Sequence, residues 1–347
     1  VIEAPMHRGS TRRPTQFLTG IALVALSVSA CGTGSGTASD APSGSSDGKL
    51  QVVTSTNVYG SIAEAIGGDD VEVTAIVTSL SQDPHSYEAT VQDKLAVSKA
   101  DLVVENGGGY DPFLHRLADE TEIDHDAIVS AVDVSGLEGA PDEHAGEEDA
   151  EGEHAEEEHA EEEHAEEEGH AHGSFNEHVW YDLPAMSSLA DTIAGKLAGL
   201  DEANAGDYEE RAAAFKEGLG GVEDSLADIR ATGGGGDMAV TEPVPVYLLE
   251  AAGFVNVTPS GYSEAIEEET DVPVAVLDEM QTLVASGSVR FLAYNNQTEG
   301  PQTQSVKAAA DEAGVPVVNF TETLPDGEDF LSWMTANTAN VAAVVGT

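Results

Sequence analysis

From Lys49 onward, short runs of β-branched and apolar residues alternate with stretches of helical spacing. "KLQVVTST" (Lys49–Thr56) reads as a strand and "YGSIAEAIGG" after it as a helix. "VEVTAIVTS" from Val71 is a second strand, "ATVQDKLAVSKA" a helix, and "DLVVENG" from Asp101 a third strand. A long helical pattern runs from Pro184 to Ala231, broken near Leu200–Gly206 and stopped by the glycines Gly233–Gly236. The alternation then resumes. "DMAVTEP" is a strand, "VYLLEAAGF" a helix, "VRFLAYNN" a strand, "TQSVKAAADEAG" a helix, "VPVVNF" a strand and "FLSWMTANTANVAAVV" a helix. Strands that alternate with helices predict parallel sheets covered by helices, one α/β unit before the long helix and one after it. Ligands of such sheets bind beyond the carboxyl ends of the strands.

The N-terminal pattern is different. Arg8, Arg12 and Arg13 precede the apolar run "FLTGIALVALSVSA" (Phe17–Ala30), which has the length of a signal-peptide core and is short for a membrane span. It ends in "VSAC", which resembles the bacterial lipobox, with Cys31 as the lipidated residue. The Gly/Ser-rich stretch Gly32–Gly48 reads as a flexible tether. Cys31 is the single cysteine, so an intrachain disulfide and a cysteine-rich zinc site are both excluded.

Charge narrows the partners. A net charge of −52 argues against nucleic acid and anionic membrane surfaces and suits cations. Part of it lies in residues 137–173, which include "GEHAEEEHAEEEHAEEEGHAHG" (Gly152–Gly173). A five-residue step on an α-helix turns by about 140°, so His154, His159 and His164 would not share a face. With His144, His170 and His172 they place six imidazoles in an acidic tract. Such a tract is expected to collect metal weakly beside a tighter site, the alternative being a charged spacer.

Four residues stand where parallel sheets present ligand groups. His85 lies in "QDPHSYEAT" after the second strand and His178 in "NEHVWYD" after the acidic tract. Glu242 and Glu322 follow the strands of "DMAVTEP" and "VPVVNF". Two imidazoles and two carboxylates are donors that a divalent transition metal takes. His115 and His125 lack such a context and read as surface or helix-face residues, and Trp180 and Tyr181 as packing beneath the site.

"DPHSYEAT" and "NEHVWYD" together resemble the paired histidine motifs of the metal-binding solute-binding proteins of bacterial ABC importers, the zinc and manganese receptors of cluster A-I. The resemblance implies two α/β lobes joined by a long rigid helix, with metal in the cleft between them. It divides the chain into a signal peptide and lipobox (1–31), a tether (32–48), an N-terminal lobe (49–205), a linker helix (206–232) and a C-terminal lobe (233–347). It makes His85 and His178 the first two ligands. Glu242 falls where zinc members usually carry a third histidine and manganese members a glutamate. Glu322 falls near the last carboxylate of the family, although "TETLP" departs from the usual aspartate stretch. Asn295 or Asn296, in "YNNQTEGPQ", would support the ligands from behind.

The function implied is capture of Zn2+, with Mn2+ or iron as the alternative. The receptor would be monomeric, anchored by lipid at the outer face of the cell membrane, and would pass metal to an ABC permease and its ATPase. It would not be an enzyme. A metallohydrolase would need an open metal position and a general base, and the chain has no HExxH signature. A metal-storing adhesin is the remaining alternative class.

Overall fold

The computed structural model describes residues 48–141, 175–268 and 270–346. Cys31 and the histidines 144, 154, 159, 164, 170 and 172 lie outside the described residues. The first lobe runs β1 (Leu50–Thr56), α1 (Asn57–Gly67), β2 (Val71–Val77), α2 (Val91–Val97), β3 (Leu102–Glu105), α3 (Pro112–Thr121), β4 (Ile128–Ser130) and α4 (Ala131–Ser135). Two long helices follow, α5 (Leu183–Leu200) and α6 (Ala205–Ala231). The second lobe runs β5 (Gly236–Val240), α7 (Val246–Ala251), β6 (Phe254–Asn256), α8 (Tyr262–Glu267), α9 (Val274–Ala285), β7 (Leu292–Asn295), α10 (Pro301–Ala313), β8 (Val317–Phe320) and α11 (Phe330–Val345).

The sheets have the orders β2-β1-β3-β4 and β6-β5-β7-β8, and every pairing is parallel. The chain winds outward in both directions from the first strand of each sheet. A crevice therefore opens at the carboxyl ends of β1 and β3, and another at those of β5 and β7. Val52–Thr56 of β1 are all buried, as expected of a strand with helices on both faces.

The spine is α6, 27 residues and about 40 Å long. Its buried residues are Tyr208, Ala212, Phe215, Leu219, Val222, Leu226 and Ile229. Their steps of four and three make one continuous stripe. That stripe packs on α1, α5 and α11. One apolar cluster runs from Val52 and Val104 in the first sheet through the spine to Met238, Val240 and Phe320 in the second. Smaller clusters line the outer side of each sheet.

The break between the long helices falls after Leu200, and α6 begins at Ala205. Short elements escape the hydrophobic pattern. β4 and β6 have three residues each, and the Phe254 that reads as a helix end starts β6, because Gly253 turns the chain at φ 91°. The last helix, α11, belongs to the second lobe by sequence but packs along α6 and against α1, with Phe330 5.7 Å from Phe215 between ring centres. Among the described residues, no helix is long and apolar enough to cross a membrane.

Arg211 ties the spine to the first lobe. Its guanidinium donates to the carbonyls of Ile66 (2.6 Å) and Gly67 (3.0 Å) at the end of α1 and pairs with Asp70 (2.9 Å). Gly68 turns there at φ 57°, where an added Cβ would lie 3.0 Å from that guanidinium. Arg211→Ala leaves helix-end carbonyls without a donor and is expected to lower stability by ~1–3 kcal/mol. Urea denaturation would register this as a lower midpoint at unchanged slope.

Candidate metal centre

A cavity of about 400 Å³ lies between the lobes, lined by His85, His178, Glu242, Glu322, Asp83 and Glu267 among others. Each of its chemical groups is placed by a short local device. The loop after β2 turns on Asp83, whose carboxylate accepts from the His85 amide (3.0 Å) and the Ser86 hydroxyl (2.7 Å). His178 follows Asn176, whose Oδ1 accepts from the His178 amide (3.2 Å) and lies 2.7 Å from His178 Nδ1. Asn176 Nδ2 donates to the Pro243 carbonyl (3.0 Å), so Oδ1 is the acceptor end of the amide. Nδ1 of His178 therefore carries the proton, and Nε2 is left as a metal donor.

Glu242 stands two residues beyond β5 and Glu322 two residues beyond β8. Asn295, at the end of β7, joins them. Its single amino group donates to Glu242 Oε2 (2.5 Å) and Glu322 Oε1 (2.7 Å). Asn295 Oδ1 is fixed in turn by the Gln297 amide at 3.0 Å. Glu242 also accepts from the Thr298 hydroxyl, and Glu322 from Tyr110 of the first lobe (3.3 Å). Tyr110 and Trp180 form the aromatic floor, with ring centres 4.8 Å from His85 and 5.1 Å from His178 respectively.

His85, His178 and Glu322 bring one donor atom each within 4.8 Å of one another. Glu242 is not in that triad. It lines the same cavity and is coupled to Glu322 through Asn295. A second triad meets the same distance limit: His85, Glu177 and Glu267. The sequence reading passed over both of these glutamates. Glu177 sits inside the quoted "NEHVWYD", beside His178, where it could have been noticed. Glu267 lies in the charged run "EAIEEET", which looks like any solvated surface.

His115 is placed elsewhere, with Nδ1 3.2 Å from Glu105, and does not line the cavity. His125 is an exposed residue of a short 3-10 turn. Asn296 bonds through its backbone to Phe320. Trp180 and Tyr181 are both buried.

Burial sets the electrostatics. It lowers the His178 imidazole well below its ordinary value, with His85 adding to the effect. It raises both Glu242 and Glu322, and neighbouring carboxylates raise them further, Glu267 and Asp83 for Glu242, and Glu242 and Asp83 for Glu322. Glu267 is pushed up to about 7, by burial first and by Glu322 second. No lysine or arginine is among the described residues that line the cavity. A divalent cation would supply the charge these carboxylates lack.

Residues 52–344 match the family model of zinc-uptake complex component A, periplasmic, and the chain belongs to that family of metal ABC transporter substrate-binding proteins. It is similar to the metal ABC transporter substrate-binding lipoprotein FimA of Streptococcus parasanguinis, 29% identical over 185 residues, which is 51% of this chain and 50% of that protein. The chain thus spans about half the length of that relative. It is 26% identical over 275 residues to the manganese-binding lipoprotein MntA of Halalkalibacterium halodurans, covering 74% of this chain and 79% of that protein. Among solved structures, the periplasmic zinc-binding protein TroA from Treponema pallidum superposes with a TM-score of 0.64 at 17% identity, covering 86% of this chain and 99% of that one. The laminin-binding adhesin Lmb of Streptococcus agalactiae gives 0.65 at 19% identity, covering 85% and 99%. At such identities the likeness establishes the fold, two parallel-sheet lobes about a helical spine.

The raised carboxyls predict how the metal-free protein responds to pH. Between an ordinary value of 4.5 and about 7, folded Glu267 holds a proton that the unfolded chain has released. Stability therefore falls as pH rises through that window, and Glu242 and Glu322 act in the same direction. His178 works on the acid side, where its lowered value removes stability as pH falls below 6.5. In chelator-treated protein the melting temperature should drop from about pH 6.5 to about pH 8, and less steeply in Glu322→Gln. Equal slopes in the two proteins would contradict burial as the cause.

Proposed function

We propose that the chain is an extracytoplasmic receptor that captures Zn2+ with His85, His178, Glu242 and Glu322 and delivers it to an ABC permease with its ATPase. The observation that carries this reading is the convergence of half-buried His85 with buried His178 and Glu322 within 4.8 Å. A neutral, buried His178 offers Nε2 without first losing a proton. The carboxylates neutralise the ion, and no water need stay on it if all four groups bind. The role is binding and not catalysis. Anchoring through lipid on Cys31, a monomeric state, and metal collection by the histidines of residues 137–173 complete the proposal. Nucleic acid has no part in it, given the charge of −52.

A manganese or iron receptor is the second reading. It is favoured by the carboxylates of the cavity, which make the donor set harder. The name of the Halalkalibacterium relative points the same way. The imidazole pair and the general affinity order of divalent metals favour zinc.

Competitive titration of the protein, stripped of metal, distinguishes these readings. One tight equivalent of Zn2+ is expected. His178→Ala should weaken it by more than the ~10–100-fold that loss of an outer partner costs a metal site. Calorimetry at pH 7 in buffers of different ionisation enthalpy should show proton release, because the raised carboxyls must deprotonate to bind. Affinity then rises with pH. Equal affinity at pH 5 and pH 7.5 would rule out this ligand set, and a site that holds Mn2+ and rejects Zn2+ would establish the second reading.

A further inference from the structure

Two triads in one cleft have His85 in common, and their composition differs. We propose that the cleft holds two alternative metal positions that share His85: an inner one completed by His178 and Glu322, and an outer one completed by Glu177 and Glu267, through which the ion passes on its way in. This rests on the metal-receptor reading and adds a route to it.

Depth gives the direction. Of the residues specific to one position, His178 and Glu322 are 1% and 2% exposed, whereas Glu177 and Glu267 are 5% and 13% exposed, and the shared His85 is 18% exposed. The outer position therefore has its rim at His85 and Glu267. Glu177 closes it from within, its carboxylate 3.3 Å from His85 Nδ1. Glu267 Oε1 lies 3.7 Å from His178 Nε2, the nitrogen that Asn176 leaves for metal, so one short displacement connects the positions. A purely structural role fits Glu267 poorly. It ends a six-residue helix, is largely buried, and pairs with no lysine or arginine among the described residues.

Chemistry gives the order of events. Two carboxylates and one imidazole take a hydrated divalent ion readily and hold it loosely. The inner set adds a second nitrogen, which a borderline ion such as Zn2+ prefers and a hard one does not. In the transfer, His85 stays bound, the oxygens of Glu177 and Glu267 leave, and His178 Nε2 and Glu322 replace them. No proton needs to reach His178. Hard ions are left at the rim, from which they return to solvent.

Stopped-flow absorbance with Co2+ as the probe tests this on the metal-free protein. The parent should load in two phases, one that quickens with Co2+ concentration and a later one that does not. Glu267→Gln and Glu177→Gln, both near-isosteric, should lose the first phase and load at least ~10-fold more slowly, on the scale of electrostatic effects on association. His178→Ala should keep the first phase and lose the second. Single-phase loading by the parent overturns the outer position, as does loading of Glu267→Gln at the parent rate. So does a Glu267→Gln variant altered only in dissociation, which would make Glu267 a permanent ligand. A parent that takes up no Co2+ and no Zn2+ would instead overturn the receptor reading, and this inference with it. Tight single-phase binding would overturn this inference alone.

Discussion

The structure is organised around a cluster of carboxylates and imidazoles largely held out of water, with no lysine or arginine lining their cavity among the described residues. Left alone, such a cluster repels itself. Asn295 is the piece that makes it tolerable. One amino group reaches Glu242 and Glu322 together and sets the spacing between them. Its position follows from topology, because β7 neighbours β5 and β8 and carries the amide to the gap between their ends. The switch point of the second sheet and the carboxylate pair are thus the same place.

The seam between the lobes is polar where it meets the site and apolar behind it. Asn176 bonds to the Pro243 carbonyl, and Tyr247 donates back to the Asn176 carbonyl (2.7 Å). Asn57 and Leu324 exchange two hydrogen bonds of 3.0 Å each. Gln297 donates to the Gln82 carbonyl (3.0 Å) while its oxygen accepts from the amides of Glu322 and Thr323. Asn176 carries the bond from the loop of His178 to that of Glu242, Gln297 links the loop of His85 to that of Glu322, and Asn57 ties the start of α1 to Leu324. The candidate ligand groups are therefore registered across the cleft by side-chain amides, which hold position without adding charge.

Much of the fold was legible because its central strands are continuous apolar runs and its spine has a strict four-three spacing. β4 and β6 were not legible, since three residues carry no period. His85, His178, Glu242 and Glu322 were found through motif and strand-end position, and they line one cavity. The donor geometry was not legible. Nothing in "TETLP" or "VTEP" tells that Glu322 meets both histidines while Glu242 stands back behind a shared asparagine. Glu267 was invisible for a general reason. A carboxylate in a run of carboxylates acquires meaning only when the chain folds one of them inward.

The single apolar cluster that passes through α6 also limits how this protein can move. Its residues belong to both sheets and to α11 at once, so the lobes share their inner core and keep separate clusters only on the outer side of each sheet. Swinging them apart would wet that shared interior, at about 2.5 kcal/mol for every 100 Å² uncovered. The molecule is built as a socket with a fixed frame. On the proposed receptor reading, whatever distinguishes a filled from an empty form to a permease must then be written in the rim loops and in the charge of the cleft, and not in the angle between two jaws.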